Sequence, residues 1–599
     1  MVNFLDIVKK WCLVLCWLIV LSCLGLLTFA KRLHPDEART LQQMAVTMGA
    51  EGWKLDDPCQ SYSPGPNISC DYCIGADCHI KELRLKDLHL TGTLPPELVQ
   101  LTYLVKVDFT RNFLHGPLPT IWSTMKHLEF ISLTANRLSG MIPKEWGNFP
   151  SLNYLSFEAN NFSGSVPKEI GYLVNLTHLF FSSNKFVGRL PDTLVNLKNL
   201  RDLRLSDNNF EGPIPEFIGK FTLLTRLELY ATGLKGPIPA AIFHDLENLL
   251  DLRITDIAGE KSDIPTLRSD KSGINLVLRN VNLSGTILAS VWDMIPQMDM
   301  LDLSFNNLEG EVNYKPNTAK HVFLAGNKLN GTVPESFLLN SKGHNIDLSY
   351  NNFTWPAATC KGHSLQKLNT YQSSSFKNKL LPCLDNFNCQ QYRRSSLHIN
   401  CGGPNVLVTN ANGSLFYEGD EQYDGYGSAM STTVGPYWGF SSTGDFMNDD
   451  DKIKSYIIRD DEGFGDTERL YSTARKSPLS LTYFGCLENG TYTVKLHFSE
   501  IEFREYIGLG RRIFDIYIQG KKMSKDFNIE EEANRTGNKV VVQHYFNVSV
   551  TDNTLDIRFY WAGKGTTCIP NRGYYGILIS AISVCQSKLF KFTKHFNYC

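Results

Sequence analysis

Residues 203–215 read Leu-Arg-Leu-Ser-Asp-Asn-Asn-Phe-Glu-Gly-Pro-Ile-Pro, and near copies of this block recur along the chain at a fixed step. Residues 131–143, Ile-Ser-Leu-Thr-Ala-Asn-Arg-Leu-Ser-Gly-Met-Ile-Pro, form one such copy. The glycine of the block recurs every 24 residues, at Gly92, Gly116, Gly140, Gly164, Gly188, Gly212 and Gly236. The last proline keeps the same step, at Pro95, Pro119, Pro143, Pro167, Pro191, Pro215 and Pro239. Because composition alone does not produce coincident spacings, the sequence predicts a repeat architecture.

Each block predicts a short strand, a turn and a return segment. The two apolar residues of Leu-x-Leu point into a shared core, and the asparagine can hydrogen-bond backbone groups of a turn that has no sheet partner. One repeat cannot bury its own apolar face, so the repeats must stack. We therefore predict an α/β-type leucine-rich-repeat solenoid with short parallel strands and about twelve 24-residue repeats over 80–355. The register weakens over 254–273 and resumes at Leu276.

The ends of a solenoid expose apolar edges and need caps. Residues 31–79 contain a helix-like stretch from residue 35, Trp53 and four cysteines, and we expect them to form the N-terminal cap. Residues 356–395 are expected to cap the other end and to join the next domain.

The side chains between the strand leucines are expected to face the open, concave surface. They predict two neighbouring groups of candidate ligand-binding residues, an aromatic one and a mixed-charge one. The aromatic ladder consists of Phe130, Tyr154, His178 and Phe180. The charged band consists of Asp202, Arg204, Arg226, Glu228, Tyr230 and Arg253. Exposed rings and arginines are typical anchors of recognition sites, but the pairs Asp202/Arg226 and Arg204/Glu228 can equally neutralise each other across strands.

After residue 395 the apolar period changes to two, which predicts half-buried antiparallel strands. The inward residues are predicted to be Tyr492, Val494, Leu496 and Phe498; Phe514, Ile516 and Ile518; Phe546, Val548 and Val550; and Leu555, Ile557, Phe559 and Trp561. Turn-forming breaks separate these runs, so the second half is expected to be an all-β sandwich over 396–585, followed by a divergent tail over 586–599.

The N-terminus and the cysteines indicate an oxidising compartment. Lys9 and Lys10 precede an apolar run from Trp11 to Ala30, so residues 1–30 are expected to be a cleaved signal peptide or a retained signal-anchor. Disulfide bonds are the first interpretation of the later cysteines, with the candidates Cys59, Cys70, Cys73, Cys78, Cys360, Cys383, Cys389, Cys401, Cys486 and Cys585. Zinc-ligand spacing is absent from the sequence, so we predict no metal and no cofactor.

Ten Asn-x-Ser/Thr sequons follow the N-terminal segment and agree with a glycosylated extracellular protein. They lie at Asn67, Asn161, Asn175, Asn282, Asn330, Asn352, Asn412, Asn489, Asn534 and Asn547. The net charge of −2, from 59 Lys and Arg against 61 Asp and Glu, argues against a nucleic-acid partner.

The second half resembles a plant malectin domain. The resemblance rests on residues 397–404, Leu-His-Ile-Asn-Cys-Gly-Gly-Pro, on residues 487–501, on residues 510–520 and on residues 561–566 with 576–584. With the preceding repeats, the chain resembles the ectodomain of the plant leucine-rich-repeat malectin receptor-like serine/threonine kinases. That family carries a membrane helix and a cytoplasmic kinase, whose motifs this sequence lacks, so we expect a chain truncated before them that binds without catalysis.

The malectin resemblance implies carbohydrate contact, for which aromatic faces and carboxylates are suited. Candidate residues in a stretch that reads as loops are Tyr417, Tyr423, Tyr426, Tyr437, Trp438 and Asp445, although core or edge packing is the stronger interpretation, because Tyr and Trp in a sandwich usually pack there. A glycosidase built on Glu488, Glu500, Glu502 or Asp515 is disfavoured, because Glu500 and Glu502 alternate onto one solvated strand face.

The function expected from the sequence is secreted, apoplastic ligand recognition, with full-length relatives in the plasma membrane. The expected partner is a peptide, a cell-wall saccharide or another receptor ectodomain, and membrane contact comes only through a retained signal-anchor or a partner receptor. The alternative is a structural wall protein that binds polysaccharide through the malectin domain.

Overall fold

The computed structural model describes most of the chain. The described residues are 32–50, 67–70, 72–74, 77–265, 273–294, 298–312, 319–333, 345–354, 368–372, 387–410, 413–423, 429–446, 456–460, 466–534 and 540–587. The expected signal segment, the divergent tail and the residues Cys59, Cys360, Cys383, Asn412 and Tyr426 lie outside them.

A fourteen-stranded sheet runs through the first half, and the leucine-rich repeats contribute its strands. The first strand pairs antiparallel with the second, and all later neighbours are parallel. In spatial order the strands are Asn67–Ser69, Glu82–Arg84, Lys106–Asp108, Phe130–Ser132, Tyr154–Ser156, His178–Phe180, Asp202–Arg204, Arg226–Tyr230, Asp251–Thr255, Ile274–Arg279, Met298–Asp302, His321–Phe323, Asn345–Asp347 and Leu368–Asn369. Twelve of them lie between residues 82 and 347, which confirms the predicted solenoid, and the sheet continues through the weak stretch after residue 254.

Short elements complete each repeat on the sides away from this sheet. A five-stranded parallel sheet contains, in order, Asn209–Phe210, Lys185–Gly188, Asn161–Gly164, Arg137–Gly140 and His115–Gly116. A four-stranded parallel sheet contains Ser262–Asp263, Leu283–Thr286, Asn307–Gly310 and Lys328–Leu329. The 3-10 helices are Pro96–Gln100, Thr120–Thr124, Lys144–Asn148, Lys168–Tyr172, Asp192–Asn196 and Glu216–Lys220, and two short α-helices are Ala241–His244 and Ala289–Met294. Where the N-terminal cap is predicted, the described elements include helix Pro35–Thr47 and strands Arg32–Leu33, Tyr72–Ile74 and Asp77–His79.

Asparagine side chains hold the turns of successive repeats, as the sequence predicted. Asn136 donates from Nδ2 to the carbonyl oxygens of Phe109 (2.9 Å) and Leu133 (3.1 Å), and its Oδ1 accepts from the backbone N–H of Leu114 at 3.1 Å. Asn112, Asn160, Asn184 and Asn208 make the same kind of bonds to their neighbours. Each asparagine therefore satisfies buried backbone groups of two adjacent repeats and fixes their spacing.

The second half is a β-sandwich, as predicted from the two-residue period. One six-stranded sheet contains, in order, Val406–Asn410, Gly413–Gly419, Ser396–Asn400, Ala581–Gln586, Gly490–Phe498 and Val541–Val550. The other contains Met430–Val434, Trp438–Thr443, Ser480–Cys486, Thr554–Tyr560, Ile513–Ile518 and Lys521–Asn528. A three-stranded sheet of Ile457–Arg459, Thr473–Ser477 and Ile577–Ile579, the α-helix Ile529–Glu532 and the 3-10 helices Glu421–Tyr423, Asp466–Tyr471 and Arg504–Tyr506 complete the domain.

The predicted inward residues of the sandwich are buried, with one exception. Phe546 is 65% exposed, whereas its neighbours Tyr545 and Val548 are buried. The cause is a shift of register between strands Gly490–Phe498 and Val541–Val550, which reverses the alternation at Phe546. The assignment of Phe546 to the core was therefore wrong.

Two disulfide bonds are fully described, Cys73–Cys78 and Cys389–Cys486, and Cys70 and Cys585 are also disulfide-bonded. The candidate Cys401 is instead a free, buried thiol. Cys401 packs among the buried side chains of the sandwich core. The prediction that it forms a disulfide bond was therefore wrong.

The sandwich packs along one side of the solenoid over most of the solenoid's length. Residues at or just after the ends of the sheet strands form hydrogen bonds or ion pairs with residues of the sandwich. The two partners of a pair are up to several hundred positions apart in the sequence. These pairs include Arg111 with Pro570, Arg137 with Ile507 (2.7 Å), Ser183 with Gly565 (3.0 Å), Asp207 with Arg511 (2.9 Å), Asp256 with Tyr560 (3.0 Å), Tyr350 with Thr482 and Asn369 with Ser441 (2.9 Å). The interface decides which part of the concave sheet stays open.

Within the described residues, no helix combines the length and the apolar character that crossing a bilayer requires.

Candidate functional site

The aromatic ladder is a continuous stack of rings across four paired strands. The rings of Phe130 and Tyr154 are stacked with centroids 4.1 Å apart, because their strands pair in register. Tyr154 then contacts His178 at 5.3 Å and meets Phe180 edge-to-face at 5.4 Å. Phe130, Tyr154 and His178 are half-buried, and Phe180 is buried. The structure therefore brings the four predicted ladder residues together and leaves Phe130, Tyr154 and His178 partly accessible. The expectation that Phe180 is exposed was wrong.

A cation closes each end of the ladder. Lys106 Nζ lies 4.1 Å from the centre of the Phe130 ring, and the Arg204 guanidinium lies 4.1 Å from the centre of the Phe180 ring. Cation–π contacts of this kind stabilise rings that would otherwise be solvated. Burial raises the pKa of Tyr154 and lowers the pKa of His178, so the tyrosine is a neutral hydroxyl and the histidine favours its neutral form.

A row of hydroxyl groups runs beside the ladder. Thr110 Oγ1 lies 2.8 Å from Ser132 Oγ, Ser132 Oγ donates to Thr134 Oγ1 at 3.2 Å, and Thr134 Oγ1 lies 2.6 Å from Ser156 Oγ. Thr110 and Thr134 are partly exposed. The open surface thus combines apolar rings with groups that can both donate and accept hydrogen bonds, which suits recognition.

The charged band has a different environment, because a loop of the sandwich covers it. Arg572 pairs with Glu228, and the Tyr230 hydroxyl lies 3.2 Å from Thr567 Oγ1 while its ring contacts Trp561 at 5.9 Å. Burial alone would raise the pKa of Glu228, but Arg572 and Arg204 outweigh it and lower that pKa to about 2. Four residues of the band are buried, so the expectation that they face the open surface was wrong for Asp202, Glu228, Tyr230 and Arg253.

The remaining charges of the band are paired within the solenoid. Arg204 makes two bonds to Asp202, at 3.0 and 2.7 Å, and Arg253 makes two to Asp251, at 2.6 and 2.8 Å. Arg226 lies 3.1 Å from Asp251 as well. Two of these pairs lie within one strand, and the pair of Arg226 with Asp251 joins neighbouring strands, so the charges are neutralised inside the solenoid.

The carbohydrate candidates that the structure describes do not converge on one site. Tyr417 and Trp438 lie in strands, so the interpretation of this stretch as loops was wrong for these two residues. Tyr423 lies in a 3-10 helix, Tyr437 in a turn and Asp445 outside the strands. Trp438 is fully buried and donates to Glu418 at 2.6 Å, and Tyr417 is buried beside His398. Tyr423 donates to the carbonyl oxygen of Thr433 at 3.1 Å.

Two further candidates are also occupied by internal contacts. The Arg394 guanidinium lies over the Tyr437 ring at 3.9 Å. Asp445 accepts a hydrogen bond from Tyr456 at 3.2 Å and lies 3.4 Å from His321 of the solenoid. Asp445 therefore belongs to the domain interface.

A polar cleft that the sequence did not indicate lies at one end of the sandwich. Its volume is about 500 Å³, and Arg393, Arg394, Ser395, Ser396, His398, Phe416, Glu418 and Glu488 line it. The Phe416 side chain is 52% exposed, and burial lowers the pKa of His398 to about 4, so that ring is neutral. No signal in the sequence groups these residues, because the linker and three separate strands or turns contribute them.

Three of the four carboxylates considered for glycosidase chemistry, Glu500, Glu502 and Asp515, are held in ion pairs, and Glu488 lines the cleft. Arg512 Nε lies 2.8 Å from Glu500, and Arg512 also pairs with Glu502, which in turn lies 2.7 Å from Lys476 Nζ. Burial would raise the pKa of Glu502, but Lys476 and Arg512 lower it overall, and Asp515 is paired with Lys522. A glycosidase needs one carboxyl group that stays protonated near neutral pH, and Glu502 is the opposite case. The prediction of a solvated face for Glu500 and Glu502 was wrong, since Arg512 and Lys476 lie buried against them.

The sequons differ in whether the side-chain amide is available. Asn175 and Asn282 donate from Nδ2 to the carbonyl oxygens of Pro150 (2.9 Å) and Gly259 (3.0 Å). Asn161 is half-buried, and exposed sequon asparagines are Asn67, Asn330, Asn352, Asn489, Asn534 and Asn547. Glycosylation at any of them remains a prediction.

Comparison with known proteins agrees with this architecture. Residues 395–582 match the malectin domain family, and residues 175–197 and 199–221 match the leucine-rich repeat family. The chain is thus a leucine-rich-repeat protein with a malectin domain.

Its relatives are plant receptor-like kinases. The chain is 54% identical over 96% of its length to a probable LRR receptor-like serine/threonine-protein kinase of Arabidopsis thaliana, and 44% identical over 93% of its length to another. It spans 58% and 55% of the length of these relatives. The chain therefore resembles the ectodomain of plant leucine-rich-repeat malectin receptor-like kinases.

Among solved structures, the chain is similar to the Arabidopsis receptor kinase HAESA in complex with the peptide hormone IDA and the co-receptor SERK1. The identity is 26%, the match covers 57% of this chain and 62% of that chain, and the TM-score is 0.49.

Proposed function

We propose that this chain is the extracellular ligand-recognition module of a plant receptor-like kinase system and that it binds its ligand without catalysis. The observation that carries the proposal is the half-buried aromatic ladder, which lies beside a row of hydroxyls on the open part of a rigid sheet. Rigid rings supply contact area at low entropic cost, and the hydroxyls supply adaptable hydrogen bonds. The ligand class is a peptide, a saccharide or another receptor ectodomain.

The buried ion pairs around Glu500 and Glu502 support binding rather than hydrolysis, because both carboxylates are already neutralised by Arg512. The relatives are named as serine/threonine kinases, and in their full length we expect ligand binding outside the cell to control a kinase inside it.

The test uses the full chain, produced through a secretory pathway, against a library of synthetic peptides, a glycan array and a panel of receptor ectodomains. Tyr154→Ala removes the central ring of the ladder, and Tyr172→Ala is the matched control, because Tyr172 is 51% exposed on a 3-10 helix away from the sheet. We expect saturable binding that Tyr154→Ala weakens at least tenfold and that Tyr172→Ala leaves within twofold. Equal affinity of the two variants would contradict the proposal.

A second candidate function, saccharide binding through the malectin domain alone, is favoured by the cleft at Phe416. An exposed aromatic ring near the carboxylates of Glu418 and Glu488 suits a sugar ring and its hydroxyls. A glycan-array signal that Phe416→Ala abolishes and Tyr154→Ala leaves unchanged would favour this candidate over the first.

A further inference from the structure

Strand Val541–Val550 lies at the end of its six-stranded sheet and pairs with Gly490–Phe498 on one side. Across the described ranges, no other strand pairs with its second side. Such an edge offers unpaired backbone N–H and C=O groups to the edge of another molecule, and natural proteins protect long edges of this kind.

A β-bulge interrupts this edge strand in its middle. Tyr492 pairs with Val548 and Val494 pairs with Tyr545, so Thr493 alone lies opposite both Phe546 and Asn547. Asn547 has a φ of 58°, a left-handed conformation that asparagine tolerates better than most residues. Bulges re-aim side chains, and here two consecutive side chains, Phe546 and Asn547, point into solvent.

Asn547 begins the sequon Asn547-Val548-Ser549, and its side-chain amide is available for modification. In the part of the chain that the structure describes, Asn547 Nδ2 donates no hydrogen bond, in contrast to Nδ2 of Asn175 and Asn282. The bulge therefore presents an unengaged acceptor amide next to an exposed aromatic ring.

We propose that Asn547 carries an N-linked oligosaccharide whose first sugars lie over Phe546 and along the open edge of strand Val541–Val550, where they block pairing between two copies of the chain. In the modification, a bond forms between Nδ2 and the anomeric carbon of an oligosaccharide, and Nδ2 loses a proton. The lipid diphosphate that carried the oligosaccharide is the leaving group. The apolar face of a sugar ring packs well on an aromatic side chain, and the glycan adds solubilising bulk.

This proposal rests on the extracellular location in the proposed function, because N-glycosylation requires passage through the secretory pathway. Glycopeptide mass spectrometry of the secreted full chain distinguishes a failure of this proposal from a failure of the proposed extracellular location. Occupancy at Asn547 and Asn330 is expected, whereas an unmodified Asn547 beside an occupied Asn330 would overturn this proposal alone. If every sequon were unmodified, the extracellular location would fail as well.

The role of the glycan is tested by sedimentation over a range of protein concentrations. We expect Asn547→Gln to increase the self-associated fraction severalfold, and Asn330→Gln, which removes an exposed sequon of the solenoid, to leave it unchanged. Adding Phe546→Ser to Asn547→Gln is expected to restore most of the monomer. If Asn547→Gln is not secreted, enzymatic removal of glycans from the folded wild-type chain provides the same comparison. A deglycosylated chain that is as monomeric as the Asn330→Gln variant would overturn the proposed role.

Discussion

The aromatic ladder and the charged band are neighbours on one parallel sheet, and they have opposite environments. The ladder strands and the band strands follow the same 24-residue repeat and pair in the same register. Yet Tyr154 is half-buried and open to a partner, whereas Tyr230 is buried under Trp561 and Thr567. Tyr154 aligns with Arg226, and Tyr230 lies four residues further along its repeat. The sandwich loop with Arg572 covers Tyr230 and Glu228, while Tyr154 keeps part of its surface exposed.

The largest expected effect on stability comes from breaking the ion pair between Arg572 and Glu228 in the covered charged band. Arg572→Met leaves the carboxylate of Glu228 buried without its partner, and removal of one member of a buried pair costs about 3–5 kcal/mol in the free energy of unfolding. Denaturant unfolding of the full chain measures the loss. The double variant Arg572→Met with Glu228→Gln is expected to recover much of it, and a single variant as stable as wild type would show that the loop does not hold the band.

The next effect is a pH dependence of stability that arises from Asp347, another buried residue of the same sheet. Asp347 is fully buried and accepts hydrogen bonds from Ser349 and Asn369, and burial raises its pKa to about 7. Asp302 lies near it with the partner Arg279, and Asn369 connects it to Ser441 of the sandwich.

Because the pKa of Asp347 is higher in the folded state, its contribution to stability is complete below about pH 4 and is lost as the pH rises towards 7. The span is at most on the order of 4 kcal/mol. Unfolding curves at several pH values check this, and Asp347→Asn is expected to flatten the dependence between pH 4 and 7. Glu228 acts in the opposite sense, with stability lost as the pH falls from about 4.5 towards 2.

A smaller effect is expected from the hydroxyl of Tyr230. Tyr230→Phe removes the contact with Thr567 and the long hydrogen bond that the hydroxyl donates to Glu228 (3.4 Å), while the ring keeps its packing. The lost hydroxyl contacts are expected to cost about 0.5–1.5 kcal/mol. Thermal unfolding measures it, with Tyr172→Phe on the exposed surface as the control. A loss much above this range would mean that the hydroxyl also supports the pair between Arg572 and Glu228.

An effect on stability no larger than that of Tyr230→Phe is expected in the open half. Phe130→Ala removes one stacked ring and its contact with Lys106, at a cost of about 1 kcal/mol for a half-exposed aromatic pair. The same variant is expected to weaken ligand binding at least tenfold. A large loss of stability with unchanged binding would reverse the roles assigned to the ladder and the band.

Local patterns in the sequence correctly indicated much of the fold. The 24-residue step, the asparagine bonds of residues such as Asn136 and the two-residue alternation of the sandwich strands all involve neighbours in sequence or in the next repeat. The errors arose where a remote contact or an irregularity intervenes. Phe546 lies in a bulge, Glu500 and Glu502 meet Arg512, and Trp438 belongs to a strand that the sequence did not indicate.

The sequence by itself determined the repeat, the position of the ladder rings and the change from solenoid to sandwich, because these depend on spacings of at most a few dozen residues. The tertiary structure alone decided that Glu228 and Tyr230 are covered while Tyr154 stays accessible. That outcome depends on contacts between residues 337 and 344 positions apart, and the order of residues along a chain does not encode the distance between such pairs directly.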